Sequence, residues 1–255
     1  MSSIALNKDS KIYIAGHKGM VGSACWRALE SKGYKNLIGF SSKELDLRNQ
    51  KEVFELIKRE KPYAIIDAAA KVGGILANDT FPYEFLMDNM LIQNNLIKAA
   101  HELDIQKFIF LGSSCIYPKM APQPIIEESL LTGPLEDTNQ WYALAKISGI
   151  KLIEALRKQY SRDYVSLMPT NLYGPGDNYD LKSSHVLPAM IKKFHEAKEK
   201  SKDVNLWGTG NPKREFLHVD DLSKAIIIAL ENKLENSFYN VGSGNEVSIK
   251  ELAEI

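Results

Sequence analysis

Cysteine is almost missing from this 255-residue chain, which carries only Cys25 and Cys115. Two thiols are too few for a disulfide framework or a thiolate metal site, so no metal is expected. Net charge is missing too, because 32 lysines and arginines offset 32 aspartates and glutamates. No overall field then draws the chain to nucleic acid or to an anionic membrane surface. No apolar run approaches the ~18 residues that cross a bilayer, and residues 1–10 lack the basic start and apolar core of a signal peptide. Repeats, low-complexity tracts and flexible linkers are absent as well. The expectation is a cytoplasmic protein with neither nucleic acid nor membrane as partner. The length still suffices for a sizeable core, in one large domain or one domain with a smaller lobe.

What is present alternates in period. Residues 11–15 form a short apolar strand, a glycine turn follows, and residues 20–32 have apolar side chains at helical spacing until Gly33. Strands are expected at 37–40, 63–70, 108–111 and 164–168, and helices at 50–60, 90–103 and 142–160. Such alternation implies parallel strands with right-handed crossovers, hence an α/β fold with a doubly wound parallel (Rossmann) sheet. The order breaks into glycine, proline, asparagine and serine between Gly174 and Arg214, around one helix at 186–200. This reads as a substrate lobe. Residues 216–219, a helix at 220–231 and residues 238–241 read as a return to the sheet. The expected division is therefore a nucleotide-binding domain of 10–173 plus 215–243, and a smaller substrate lobe of 174–214 plus 244–255.

Three motifs carry chemistry. Gly16, Gly19 and Gly22 sit where a strand feeds a helix, so the backbone can approach a pyrophosphate while the helix N-terminus, at Met20 and Val21, supplies free amides. After the second strand the chain reads Gly39-Phe40-Ser41-Ser42-Lys43, without the acidic residue that usually binds an NAD ribose diol. Lys18 and Lys43, with the hydroxyls of Ser41 or Ser42, instead suit a 2′-phosphate, which favours NADP(H). Asp46 is expected at the adenine end. Tyr142 and Lys146 stand four apart on one helix face, a pairing in which the ammonium favours the phenolate and makes the tyrosine a faster proton relay. Ser113 and Cys115 follow a strand at spacing two. In an extended segment both would face the same side, with Ser113 sharing a carbonyl oxygen with Tyr142. Cys25, inside an amphipathic helix beside Trp26, reads as a small buried hydrophobe.

These residues resemble the extended short-chain dehydrogenase/reductases, and within them the GDP-L-fucose synthases, which epimerise GDP-4-keto-6-deoxy-D-mannose at C3 and C5 and reduce it at C4. The resemblance runs from about Lys11 to the end of the chain. Besides the glycine turn it rests on Ala-Ala-Ala-Lys-Val-Gly-Gly (68–74), Gly-Ser-Ser-Cys-Ile-Tyr-Pro-Lys (112–119), Pro-Thr-Asn-Leu-Tyr-Gly-Pro (169–175), Ser-His-Val-Leu-Pro-Ala (184–189) and the stretch 207–221. The Ser-Ser-Cys and Ser-His-Val-Leu-Pro segments are the selective ones.

The resemblance implies roles. Cys115 is the base and His185 the acid that returns a proton to the opposite face. Ser113 and Tyr142 stabilise the enolate, and Lys146 tunes Tyr142 and binds the nicotinamide ribose. Pro169 and His185 border the cofactor. Val72, Gly73, Asn171, Lys193, Trp207 and Arg214 line the GDP-sugar site, and the assembly is a homodimer packed through helices near Met90 and Tyr142. Family members continue for several tens of residues past the segment matching 247–255, so the lobe is expected to be shortened. The competing expectations are another NAD(P)-dependent sugar-nucleotide epimerase or dehydratase, and a non-catalytic NADP-binding sensor.

Overall fold

The structure, a computed structural model, describes residues 5–181, 183–206 and 208–255. Its central feature is a six-stranded parallel sheet in the order β2-β1-β3-β4-β5-β8. The strands are β1 (Ile12–Ala15), β2 (Leu37–Ile38), β3 (Ala64–Asp67), β4 (Lys107–Leu111), β5 (Asp163–Pro169) and β8 (Phe238–Val241). All residues of β1, β3 and β4 are buried, as expected of strands covered on both faces, which need continuous apolar runs rather than alternation.

The strand period of two sorts these residues to the two faces. Tyr13, Ile65, Phe108 and Phe110 join one core cluster with residues of α2 (Gln50–Glu60), α4 (Pro82–Glu102) and α5 (Gln140–Tyr160). Ile12, Ile14, Ile66 and Ile109 join the other, with α1 (Met20–Ser31) and α7 (Val219–Glu231). The connection from β1 runs to β2 on one side, while β3 lies on the other. That reversal opens a crevice beyond the carboxyl ends of β1 and β3, where open α/β sheets bind ligands.

Two clamps fix the walls of the crevice. Gln93 on α4 donates to the Ala145 carbonyl of α5 at 2.6 Å and to Ser148 Oγ at 3.0 Å. Asn89 accepts from the Lys71 backbone amide at 2.8 Å and donates to the Lys71 carbonyl at 3.0 Å, pinning the loop after β3 to α4.

Three expectations change in the structure. The strand expected at 216–219 is β7 (Lys213–His218), and it does not return to the main sheet. It pairs parallel to β6 (Asn171–Tyr173) and antiparallel to β9 (Glu246–Ser248) in a separate three-stranded sheet; only β8 rejoins the main one, beside β5. The helix expected from residue 90 begins at Pro82, because Pro at the first helical position is already set for helix and lacks only an orphan amide. The second strand is confined to Leu37–Ile38. The helices α3 (Ile75–Thr80), α6 (Val186–Lys200) and α8 (Ile249–Glu254) complete the chain. Among the described residues no helix is long and apolar enough to cross a membrane, and no cluster of metal-ligating side chains occurs.

Candidate active site

The glycine turn closes on itself and on the loop after β3. Gly16 has φ +77°, and a Cβ there would stand 2.7 Å from the Ala68 carbonyl oxygen; one on Gly22 would stand 2.2 Å from that of Gly16. Only glycine permits this approach. Gly19 caps α1 with no side-chain hydrogen bond, so the first-turn amides of Met20, Val21 and Gly22 have no intrahelical acceptor and face outward with the positive end of the dipole. The donor set fits a dinucleotide pyrophosphate. His17 is drawn under the turn, its ring 5.8 Å from that of Trp26.

At the end of β2 the structure holds a carboxylate that the sequence reading passed over. Ser41 donates to Glu44 from both its backbone amide, at 2.8 Å, and its hydroxyl, at 2.5 Å. These bonds, with Lys18 and His17 adding attraction, hold Glu44 below the usual carboxylate range. The Ser41-x-x-Glu44 spacing of a capping box was the available signal. Lys18, Ser42 and Lys43 are exposed around it. Asp46, expected at the adenine end, also pairs with Arg48, at 3.0 and 2.9 Å.

The carbonyl-handling residues meet between the end of β4 and the start of α5. Ser113 caps a single 3₁₀ turn at Ser114–Ile116, and its hydroxyl accepts from the Cys115 amide at 3.5 Å. The segment is thus turned, not extended as the spacing of two suggested, and Ser113 and Cys115 are brought together through this turn. Phe85 meets the Tyr142 ring edge-on at 6.5 Å. Lys146 is buried, donates to the Leu111 carbonyl at 2.8 Å, and sits 4.6 Å from the Phe110 ring centroid and 5.7 Å from that of Tyr142. That single bond leaves two ammonium protons for ribose hydroxyls, a second fit to the cofactor.

The electrostatics differ from the expectation for Tyr142. Burial pushes its phenol far up, and the neighbouring Cys115 and Asp67 push it further, since both would repel a phenolate. Lys146 is lowered by burial, against the pull of Asp67 and Cys115. Burial pushes the Cys115 thiol up to about 11, against a hydrogen bond from Ser113 and the Lys146 charge. Cys25 is buried and its thiol is pushed up to about 12 by burial, the inert cysteine expected.

The residues expected on the substrate side lie on other elements. Val72 is exposed. Gly73 leaves room for Phe85, whose ring would be 3.1 Å from a Cβ, and Phe85 in turn touches Tyr142. The Gly74 amide donates to the Ser183 carbonyl at 2.9 Å, which straps the segment carrying His185 to the loop after β3. His185 is exposed and caps α6 without using its side chain. Its imidazole is an electrostatic neighbour of Asp177, whose carboxyl is raised by burial and lowered in part by His185; the sequence reading did not single out Asp177. Asn171, on β6, donates to the Glu215 carbonyl at 3.0 Å, and Arg214, on β7, bonds the Lys213 carbonyl at 2.7 Å. Lys193 lies on α6, and Pro169 ends β5 beside Val241. Trp207 lies outside the described residues.

Comparison with known proteins agrees with this geometry. Residues 12–242 match the model of the NAD dependent epimerase/dehydratase family. The chain is 54% identical to putative GDP-L-fucose synthase 2 of Arabidopsis thaliana, over 99% of this chain and 77% of that one. It is 51% identical to the GDP-L-fucose synthase of Escherichia coli, over 96% and 79%. Among solved structures, an NADP-bound GDP-L-fucose synthetase from Naegleria fowleri superposes with a TM-score of 0.89 at 28% identity, over 99% of this chain and 78% of that one. The chain therefore belongs to the NAD dependent epimerase/dehydratase family and, within it, to the GDP-L-fucose synthases.

Proposed function

We infer that this chain converts GDP-4-keto-6-deoxy-D-mannose to GDP-L-fucose by epimerisation at C3 and C5 and NADPH-dependent reduction at C4. The observation that carries the reading is the cluster of Ser113, Cys115, Tyr142 and Lys146 beside an uncapped α1 N-terminus, in a chain of this kinship. Hydrogens at C3 and C5 are both α to the ketone, so a base removes either one once the enolate oxygen is stabilised. At each carbon in turn Cys115 takes one proton and His185, with Asp177 as its electrostatic neighbour, returns one to the opposite face; between the two steps the thiol yields its proton to solvent and the imidazole regains one. Ser113 and Tyr142 donate to the enolate oxygen. Bound NADPH supplies the hydride to C4. Tyr142 then gives its proton to O4, and its raised pKa suits that step, which needs a phenol and not a phenolate. Lys146 directs its two remaining protons at the nicotinamide ribose.

Gly16, Gly19, Met20, Val21 and Gly22 hold the pyrophosphate. Lys18, Ser42 and Lys43 take the 2′-phosphate, while Pro169 borders the nicotinamide. Val72, Gly73 and Asn171 line the GDP-sugar site together with Lys193 and Arg214 of a lobe of 174–214 plus 244–255, Arg214 as a bidentate diphosphate partner. Two copies pair through α4 and α5, whose Tyr83, Met87, Leu91, Trp141 and Leu144 are exposed large hydrophobics at helical spacing. Light scattering that gives twice the monomer mass supports that pairing, and a monomer refutes it. The setting is the cytoplasm, whose reducing conditions keep Cys25 and Cys115 as free thiols.

The test is incubation with GDP-4-keto-6-deoxy-D-mannose and NADPH in deuterated water. Loss of NADPH absorbance with deuterium at C3 and C5 supports the reading. Exchange without oxidation reduces the activity to epimerisation, and tight NADPH binding with neither signal turns the chain into a sensor.

A further inference from the structure

One charged group in the crevice has no part in the reaction as described. Asp67 is the last residue of β3, pairs in register with Ala15 of β1 and Phe110 of β4, and is completely buried. The strand period puts its side chain on the face of Tyr13, Ile65 and Phe110, which is the face that α4 and α5 cover. One carboxylate oxygen accepts from the Ala69 amide at 3.2 Å; the other is sealed from solvent with no hydrogen-bond partner. An acid at such a position is costly, since a buried charge is tolerated only against a counter-charge.

The counter-charge is Lys146. Its ammonium lies over the ring of Phe110, the residue paired with Asp67 on the next strand, and is held there by the Leu111 carbonyl. Lys146 is the larger of the two attractions that oppose the effect of burial on Asp67, and Asp67 heads those that oppose it on Lys146. The titratable groups that feel Asp67 are Lys146 and Tyr142 from α5 and Tyr13 from β1, whose own hydroxyl is buried without a partner. Cys115, on the turn after β4, acts on the same Lys146 and Tyr142.

We propose that Asp67 is a positioning residue for the reduction: a carboxylate sealed beneath the crevice that keeps Lys146 in its ammonium form and so holds the donor set for the cofactor ribose. This rests on the roles given above to Lys146 and Tyr142. The side chain touches neither cofactor nor sugar; it acts through Lys146. Burial pushes the Asp67 carboxyl up to about 6, so the carboxylate is present at neutral pH and is lost as pH falls through that value. Removing it permanently takes away the attraction that resists deprotonation of Lys146, so the lysine titrates at lower pH.

The experiment compares wild type with Asp67→Asn, which keeps the shape and removes the charge. Initial rates of NADPH oxidation with GDP-4-keto-6-deoxy-D-mannose are followed from pH 5.5 to 9.5, as kcat and KM for NADPH. The expected result has two parts. The alkaline limb of kcat/KM for NADPH moves to lower pH in the variant, so that above the limb a one-unit shift reads as about a tenfold lower relative rate. On the acid side the two profiles coincide, because falling pH keeps Lys146 protonated with or without the carboxylate. Superimposable profiles, differing only by a constant factor, overturn the proposal, because a merely structural role scales the rate without moving its pH dependence. Should Asp67→Asn fail to fold, carboxyl carbon NMR of the wild type labelled at aspartate decides instead. A carboxyl titrating above the usual aspartate range, and moving when Lys146→Met is introduced, supports the pairing; a carboxyl unmoved by that change refutes it. If wild type oxidises no NADPH at any pH, the functional reading itself has failed, and not the assignment of Asp67.

Discussion

The base assigned to epimerisation is the most exposed point of the mechanism, because the structure disfavours the form that does the work. Burial holds the Cys115 thiol near 11. At pH 7.5 such a group is ionised in only about three molecules per ten thousand, which adds ~5 kcal/mol to the cost of reaching the thiolate. The thiolate fraction grows about tenfold for each pH unit until the titration point. Deuterium uptake at C3 and C5, measured without NADPH so that reduction does not drain the ketone, should therefore rise about a hundredfold between pH 7.5 and 9.5. Cys115→Ser removes the thiolate and should leave a flat residual lower by more than ~100-fold at pH 9.5, since an alcohol ionises far less readily. Ser113→Ala should shift the wild-type rise to higher pH, as the hydroxyl lowers the thiol. A wild-type rate already on a plateau at pH 7.5, or Cys115→Ser exchanging at the wild-type rate, would show that another group abstracts the protons.

Three further outcomes are expected. Tyr142→Phe should lower NADPH oxidation by ~10²–10⁴-fold, the usual worth of a positioned acid, and should slow deuterium uptake as well, since the same hydroxyl donates to the enolate oxygen; oxidation at the wild-type rate would remove Tyr142 from the last proton transfer. Asp67 binds its proton more tightly folded, at about 6 against a reference of 3.8, so its contribution to stability is full below the reference value and declines as pH rises through the folded one. Chemical denaturation should find wild type losing about 2 kcal/mol relative to Asp67→Asn between pH 4 and pH 7, and a constant difference would refute the buried titration. Glu44 places a negative charge beside Lys18 at the end of β2. Glu44→Gln should raise the preference for NADPH over NADH by a few-fold, and an unchanged ratio would separate Glu44 from cofactor choice.

Local periodicity made the sheet legible where one element decides its own shape. The helix Gln50–Glu60 matches its expected bounds because Asn49 caps it and Pro62 follows it. β7 failed for the opposite reason. Its apolar pattern suits any strand, and only the tertiary partners β6 and β9 determine which sheet receives it. In the active site, residue types in fixed motifs were readable: the glycines, Ser113, Tyr142 and Lys146. The conformation at Cys115 was not, because the Ser113 cap bends the chain into a turn where spacing alone predicts extension. Asp67 escaped notice because it sits at the end of the apolar run Ala64–Asp67, where nothing in the letters shows that α5 lays Lys146 above the adjacent strand. Glu44 stands out only through the two bonds that Ser41 donates to it, which single letters do not show.

Burial weakens both acids of the site, and in the proposed mechanism the coupling between them orders the steps. The Cys115 thiolate raises the titration of Tyr142, so ionising Cys115 disfavours ionising Tyr142. In the mechanism proposed above epimerisation needs the thiolate, and while Cys115 is charged the repulsion keeps Tyr142 a phenol that donates to the enolate oxygen. Reduction needs that phenol again, now to give up its proton at O4, and by then Cys115 has lost its charge to a sugar proton. Asp67 biases Tyr142 in the same direction as the thiolate, while Lys146 opposes the burial that weakens Cys115. A lone ammonium with no Asp67 behind it would favour thiolate and phenolate alike and would itself be pushed toward the neutral amine. The buried carboxylate makes the cation durable without releasing the phenol, and this lets one ketone meet a base first and an acid afterwards in the same crevice.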